Sequence, residues 1–366
     1  MKQVVNLARI LVGVLFIFSG LVKAIDPLGL AYKMQEFFEV WASEGIMKDT
    51  MLWINEQALL LSLVMITMEV VLGVALLLGW RTRMVSWLLL LLMLLFTFLT
   101  SYVLFSGKIR ACGCFGDCIP LTPVQTFTKD IVLLVLVLLI LAGRKYIKPV
   151  FSGNVNAALF LISLLGISAL QWYVLNHLPV KDCLPFKVGN NILELRKMPK
   201  DAVPDKFDYQ FVYKKNGESR EFAVSALPDS SWEFVERKQV LVEKGKNNIP
   251  LINDFVLKTE HDNDTTEAIL NQAGEYYLLY AKGFTKNDKW IKNFAGLYAS
   301  KKKPLYLVTP DPKAARELIA VPGLTILSCD ATALKTAARN NLTLYLMNGP
   351  LVKNKWGGSD VEKALK

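Results

Sequence analysis

Histidine is nearly missing from this chain of 366 residues: there are two, His177 and His261. Cysteine is scarce as well, with five residues and no Cys-x2-Cys pair. Three closely spaced thiolates could bind zinc or copper, but two distant histidines and the lack of paired spacing leave such a site incomplete. No glycine-rich phosphate loop and no nucleic-acid motif is present. The formal net charge is +10, yet it is spread without a long basic run, which points to membrane-surface and protein-partner electrostatics rather than nucleic acid.

Charge is also missing from long stretches, and there the chain becomes informative. It is 53% hydrophobic, and the apolar residues crowd into the part before about residue 175. Five runs, 4–25, 58–80, 84–105, 127–142 and 155–175, are long enough or nearly so to cross a hydrocarbon core of about 30 Å. The fourth is the shortest, with Lys129 and Asp130 at its start, where Thr126, Thr128 and Asp130 suit a helix N-terminus. Lys2 and Val22-Lys23-Ala24 would also suit a signal peptide; the first run is read as a retained helix. Segment 28–49, with Tyr32, Phe37, Phe38 and Trp41 among charges, reads as an amphipathic helix on the membrane surface.

Arg81 and Arg83 follow the second run, and Arg144, Lys145 and Lys148 follow the fourth. The excess of positive charge places these loops and the N-terminus in the cytoplasm, and the remaining loops and the soluble part on the outer side. Within the membrane, Glu69 is the most informative residue, because an ionised carboxylate there needs a partner or a proton. Arg9 and Lys23 are the available cations. Arg9 is expected as the partner by depth, either as a register-fixing ion pair or as part of a proton or ligand site.

Between the third and fourth runs lies Lys108-Ile-Arg-Ala-Cys-Gly-Cys-Phe-Gly-Asp-Cys118. Exchange of disulfides needs an attacking thiolate, a second sulfur and access. Lys108 and Arg110 are expected to favour a thiolate, and Gly113 and Gly116 permit tight turns. Cys183 follows the fifth run at the same membrane level, so Cys112, Cys114, Cys118 and Cys183 form one set. Cys112 and Cys114 are taken as the exchanging pair and Cys118 and Cys183 as relay or resolving thiols. Bonds from Cys118 or Cys112 to Cys183 are both open, and an inert structural staple competes with the redox reading.

The pattern Gly20-x-x-Lys23-x-x-Asp26-Pro27, Glu69-x-x-x-Gly73 and Cys112-Gly-Cys114-Phe-Gly, over about the first 145 residues, resembles the DoxX/MauE group of small bacterial membrane proteins. The resemblance implies a role in forming disulfides in a periplasmic partner. By analogy with the quinone-linked enzymes DsbB and vitamin K epoxide reductase, a membrane quinone is the cofactor to consider.

Beyond the membrane part, 207–213 and 220–224 around Asn216-Gly217 read as a β-hairpin, and 232–242 as a further strand. From about residue 248, apolar strands at 276–281, 304–309 and 324–327 alternate with helical patterns and end in a hairpin at 342–356. That order resembles a thioredoxin fold of the TlpA type. The segment from Gly283 to Trp290, where that family carries its cysteine pair, has none, and Leu342 stands where a cis-proline is usual. Cys329 reads as a buried, incidental thiol.

The expected fold is thus an α-helical transmembrane bundle of about five spans, a soluble β-rich adaptor and an α/β thioredoxin-like domain. The divisions fall at 1–150, 151–180, 181–247 and 248–366. Two functions follow: a bacterial inner-membrane thiol–disulfide oxidoreductase or disulfide-formation accessory acting on a periplasmic client, or a non-enzymatic assembly scaffold whose degenerate domain binds a partner.

Overall fold

A computed structural model of the chain describes residues 1–109, 112–243, 245–284, 289–301 and 303–365. Arg110, expected to act on the cysteines, and residues 285–288 of the segment that replaces the cysteine pair lie outside the described residues.

The first half consists of helices α1 (Lys2–Ala24), α2 (Pro27–Ser43), α3 (Lys48–Glu56), α4 (Ala58–Leu78), α5 (Thr82–Ser106), α6 (Pro123–Ala142) and α7 (Gly153–Asn176). All but α2 and α3 are long and apolar enough to cross a membrane. Helix α6 differs from expectation at its start. Its N-cap is Thr122, whose side chain forms a reciprocal capping box with Gln125, and Pro123 occupies the first turn, where its missing amide hydrogen costs nothing. Asp130 is therefore two turns inside the helix and fully buried.

Helices α1 and α4 pack so closely that three glycines sit at their crossing. A Cβ on Gly73 would lie 2.8 Å from the Gly13 carbonyl and 3.1 Å from the Ile17 amide, and one on Gly20 would lie 3.2 Å from Glu69 Cβ. Small residues permit this approach where lipid supplies no hydrophobic drive between helices. The contact fixes the offset: Gly20 is level with Glu69 and Val70, so the start of α4 extends past the end of α1 toward α2. Around this pair, Val12, Phe16, Leu76, Leu89, Met93, Val137 and Ile140 form the bundle core.

After α7 the chain is β-rich. Strands β1 (Lys206–Lys215), β2 (Glu218–Ala223) and β3 (Glu233–Glu243) form an antiparallel sheet in the order β2-β1-β3. Asn216 and Gly217, with φ of 52° and 89°, make the tight turn that the Asn-Gly pair specifies. A second sheet has the order β6-β5-β4-β7-β8, built from β4 (Glu275–Ala281), β5 (Leu305–Thr309), β6 (Thr325–Ser328), β7 (Leu342–Asn348) and β8 (Leu351–Gly357). The pairs β4–β5 and β5–β6 are parallel, while β7 runs antiparallel to both neighbours. Short helices α8 (Ile192–Leu195) and α9 (Thr266–Leu270) precede this sheet in the chain, and α10 (Lys289–Ser300), α11 (Pro312–Leu318), α12 (Ala331–Ala337) and α13 (Val361–Leu365) are interleaved with it or follow it. Strand β4 is apolar on both faces because both are covered. Phe186 and Ile192, from the segment just after α7, pack with Phe255, Tyr280 and Tyr345 on one side; Phe294, Leu297 and Val361 fill the other. Cys329 lies in the first of these cores, where burial pushes its thiol up to about 12, so it is held protonated and inert.

The second sheet is seated on one end of the bundle by polar contacts. Arg339, just after α12, donates 2.6 Å hydrogen bonds from Nε to Asp26 at the start of α2 and from Nη2 to Asp117 in the cysteine loop. Lys282 donates to Tyr32 Oη at 2.7 Å, Lys335 to Gln35 at 3.1 Å, and Lys355 to Asp182 at 2.6 Å.

Candidate functional site

The cysteine loop folds over the same end of the bundle as two small turns. Gly113 and Gly116 adopt φ of 74° and 57°, a region that side chains disfavour, and the Gly116 amide donates to the Gly113 carbonyl at 2.9 Å. Ser19 Oγ of α1 donates to the Cys114 carbonyl at 3.1 Å, which pins the loop to the bundle. Of the four cysteines singled out from sequence, Cys118 and Cys183 form a disulfide that ties the loop to the segment after α7. Cys112 and Cys114 are free thiols with their sulfurs 3.3 Å apart. Cys112 is half-buried and Cys114 buried, and both line a recess of about 120 Å³ bordered by Lys33, Asp117 and Pro120.

Beneath Cys114 lies a set of charges that the sequence only partly disclosed. Lys23 and Glu69 form an ion pair at 3% and 1% exposure. Arg9, the partner expected by depth, instead donates to the carbonyls of Leu76 and Leu77 in the last turn of α4. The expectation placed Glu69 in the wrong half of the bundle; the offset of α4 brings it level with Gly20, one turn from Lys23. A second pair joins Lys129 and Asp130, and Thr100 Oγ1 donates to Asp130 Oδ2 at 3.1 Å. Aromatic faces hold both cations: Lys23 Nζ is 4.8 Å from the Phe96 ring centre and Lys129 Nζ 5.2 Å from that of Phe115. Two adjacent charges inside an apolar run were the available signal for Lys129 and Asp130.

The electrostatics separate the two thiols. The hydrogen bond from Cys112 holds Cys114 below the usual thiol value against the effect of burial, with help from Lys129 and Lys23. The same hydrogen bond and burial hold Cys112 well above it. Cys114 is thus the more acidic of the two thiols. Lys108, expected to act on the cysteines, is paired with Glu44 instead.

Residues 1–143 match the family described as "Methylamine utilisation protein MauE". The match covers helices α1 to α6 and the loop with Cys112, Cys114 and Cys118. Residues 207–244, the antiparallel sheet, match a domain of unknown function, DUF8463. No curated protein and no solved structure matches the chain. The MauE-like part contains the thiol pair and the charges Lys23, Glu69, Lys129 and Asp130, whereas Cys183 and Arg339 lie outside it.

A small cavity connects thiol and charges. Its volume is about 20 Å³, and Ser19, Lys23, Glu69, Cys114, Lys129 and Asp130 line it. That is room for one water molecule and not for a quinone ring, so the residues present do not fit that cofactor here. Among the described residues no group of three or more His, Cys, Asp and Glu side chains is placed to hold a metal ion.

Proposed function

We propose that the protein exchanges disulfides with a protein on the outer face of a bacterial inner membrane, through Cys112 and Cys114. The observation that carries this reading is the pair of free sulfurs 3.3 Å apart, one half-exposed and the other buried above two lysines. In the exchange, a thiolate of the partner attacks Cys112 Sγ of the Cys112–Cys114 disulfide. That bond breaks and Cys114 leaves as a thiolate, which Lys129 and Lys23 stabilise. The partner's second thiolate then attacks its own sulfur in the mixed disulfide and releases Cys112, which takes up a proton. The partner loses two electrons, the pair gains them, and the dithiol form is the product; run backward, the same steps reduce a partner disulfide.

Cys118–Cys183 serves as the staple that keeps the loop in place beneath the C-terminal domain. The strand order β5-β4-β7-β8 supports the thioredoxin-like reading of that domain, with β6 as an added edge strand and no cysteine pair of its own. It acts as the docking module. The scaffold reading draws support from the same staple, since two of the four cysteines are already committed to structure.

Single-turnover oxidation separates the two. The full-length protein in membranes is oxidised with diamide, freed of reagent, and given a synthetic peptide with two cysteine thiols. Peptide disulfide should form in proportion to protein, be lost in Cys112→Ser and Cys114→Ser, and persist in a Cys118→Ser/Cys183→Ser double variant. Equal yields with and without Cys112 and Cys114 would leave only the scaffold.

A further inference from the structure

The seam between α2 and the C-terminal domain stays open beside the contacts of Lys335 and Arg339. A cleft of about 540 Å³ lies there, within the size range of binding pockets, about 300–1,000 Å³. Helix α2 lines it with Gly29, Lys33, Glu36 and Glu39, and α12 lines it with Thr332, Lys335 and Thr336. The spacing of the α2 residues marks a single helix face. That face runs for about 15 Å, the length of about four or five residues of extended chain.

The cleft leads to the thiols. Lys33, Asp117 and Pro120 border both the cleft and the recess that holds Cys112 and Cys114. Lys33 lies directly against the residue between the two cysteines: a Cβ on Gly113 would be 3.1 Å from Lys33 Cγ. Asp117 accepts a 2.6 Å hydrogen bond from Arg339, so the C-terminal domain positions a residue of the shared border. We propose that this cleft holds an extended, cysteine-bearing segment of the client protein and presents the client sulfur to Cys112. The inference rests on the exchange reading and adds to it the path of approach.

The lining suits a main chain. An extended segment brings amide and carbonyl groups that need partners. Lys335 directs one of its three N–H donors to Gln35, and the hydroxyls of Thr332 and Thr336 can donate or accept. Charges of both signs are present, with Lys33 paired to Glu36 and Arg339 to Asp117, which favours a dipolar backbone over a small anionic thiol. Of the two free sulfurs Cys112 is the less buried, so it is the one a client in the cleft reaches. The C-terminal domain thereby has a task that needs no cysteine pair of its own: α12 forms part of the client's path.

The test uses the full-length protein in membranes with Cys114→Ser, so that Cys112 is the reacting thiol. Two probes carry a cysteine activated as its mixed disulfide with thionitrobenzoate: a blocked single cysteine, and an uncharged peptide with about four residues on each side of the cysteine, enough to span the cleft in either direction. The Cys112 thiolate attacks the probe cysteine sulfur, a disulfide joins the two, and coloured thionitrobenzoate leaves with the electron pair of the broken bond. The peptide should react about ten-fold faster than the single cysteine, because only the longer probe gains from contacts remote from the sulfur. Thr336→Trp and Glu39→Trp, which fill the cleft, should each remove that advantage and leave the single-cysteine rate within about two-fold. Lys353→Trp, on β8 and outside the lining, should keep the advantage. The proposal is overturned if the peptide has no advantage, if the advantage survives both fillings, or if Lys353→Trp removes it. Equal slowing of both probes by the fillings overturns it too. Should one filled variant not accumulate, the other decides. A peptide advantage in a protein that fails the diamide experiment keeps the cleft and loses the exchange function, whereas exchange without the advantage loses the cleft alone.

Discussion

Replacing Arg339 by Met should loosen the C-terminal domain from the bundle far more than the number of lost contacts implies. The guanidinium serves two carboxylates, and they are not equivalent. Asp117 is 39% exposed, and a pair with so open a partner is worth about 0–1 kcal/mol. Asp26 is more enclosed, at 18% exposure: burial holds its carboxyl above the usual range even though Arg339 pulls it down, while for Arg339 the two carboxylates outweigh burial and hold it above its own usual value. Both are raised, Asp26 because burial outweighs one shared cation and Arg339 because two anions outweigh burial. Removing Arg339 strands the Asp26 charge, at about 3–5 kcal/mol, or roughly two to four orders of magnitude in the opening equilibrium. The assay is hydrogen exchange at the amides of α2 and α12, which the contact joins. Asp117→Asn should cost about 1 kcal/mol or less, and Arg339→Met/Asp26→Asn should recover most of the loss, since Asn still caps α2 and no charge is left buried. The pH dependence has a definite sign. A carboxyl whose value is raised in the docked state binds a proton more readily there, so the Arg339→Met penalty is fully present at neutral pH and shrinks as acid neutralises Asp26. The reasoning fails if Arg339→Met costs no more than Asp117→Asn, or if the double variant is no better than Arg339→Met alone.

Lys282, enclosed between Tyr32 and the Arg339 carbonyl, is lowered by burial and by Arg339 from 10.5 to about 7, a gap worth about 5 kcal/mol. The undocked state binds the extra proton between these values, so docking should tighten as pH rises from about 7 toward 10.5, read as a rising thermal midpoint, and Lys282→Met should remove most of that rise. In the bundle, Gly73→Val would drive its side chain into the Gly13 carbonyl and Ile17 amide and should lower the thermal midpoint by the equivalent of about 1–3 kcal/mol or more. Gly166→Val, with nothing within 4 Å of its Cβ position, should change it by less than about 0.5 kcal/mol; equal effects would show that the α1–α4 crossing is not tight.

What the sequence discloses divides along the range of the interaction. Hydropathy places the five long helices within a few residues, because burial in lipid acts on each segment separately. The Asn216-Gly217 hairpin and the strands after residue 275 follow from local turn chemistry and alternation. The start of α6 was equally local, in Thr122-Pro-Val-Gln125, but the apolar run begins later and draws attention to Thr126. By contrast, the partner of Glu69 depends on how far α4 slides past α1, and the cations that act on Cys114 come from α1 and α6 rather than from its own loop. Neighbouring charges such as Lys108 are captured by other elements, here Glu44. The Arg339 contacts to Asp26 and Asp117 span separations of 313 and 222 residues and leave no periodic or compositional trace.

The glycines at the α1–α4 crossing therefore bear on chemistry as much as on packing. With Gly13 against Gly73 and Gly20 against Glu69 and Val70, α1 ends level with the middle of α4, and the side chain of Lys23 meets Glu69 inside the bundle. A slide of one helical turn, about 5.4 Å, would carry Glu69 away from both Lys23 and the cavity below Cys114. It would leave two unpaired buried charges, each costing several kcal/mol. The ion pair thus enforces the register that the glycines permit. Ser19, one residue before Gly20, then holds the Cys114 carbonyl at the matching height. Helix register and the placing of Lys23 and Glu69 beside Cys114 follow from one contact, and a substitution that shifts the crossing should alter the reactivity of Cys114 even where the loop itself is untouched.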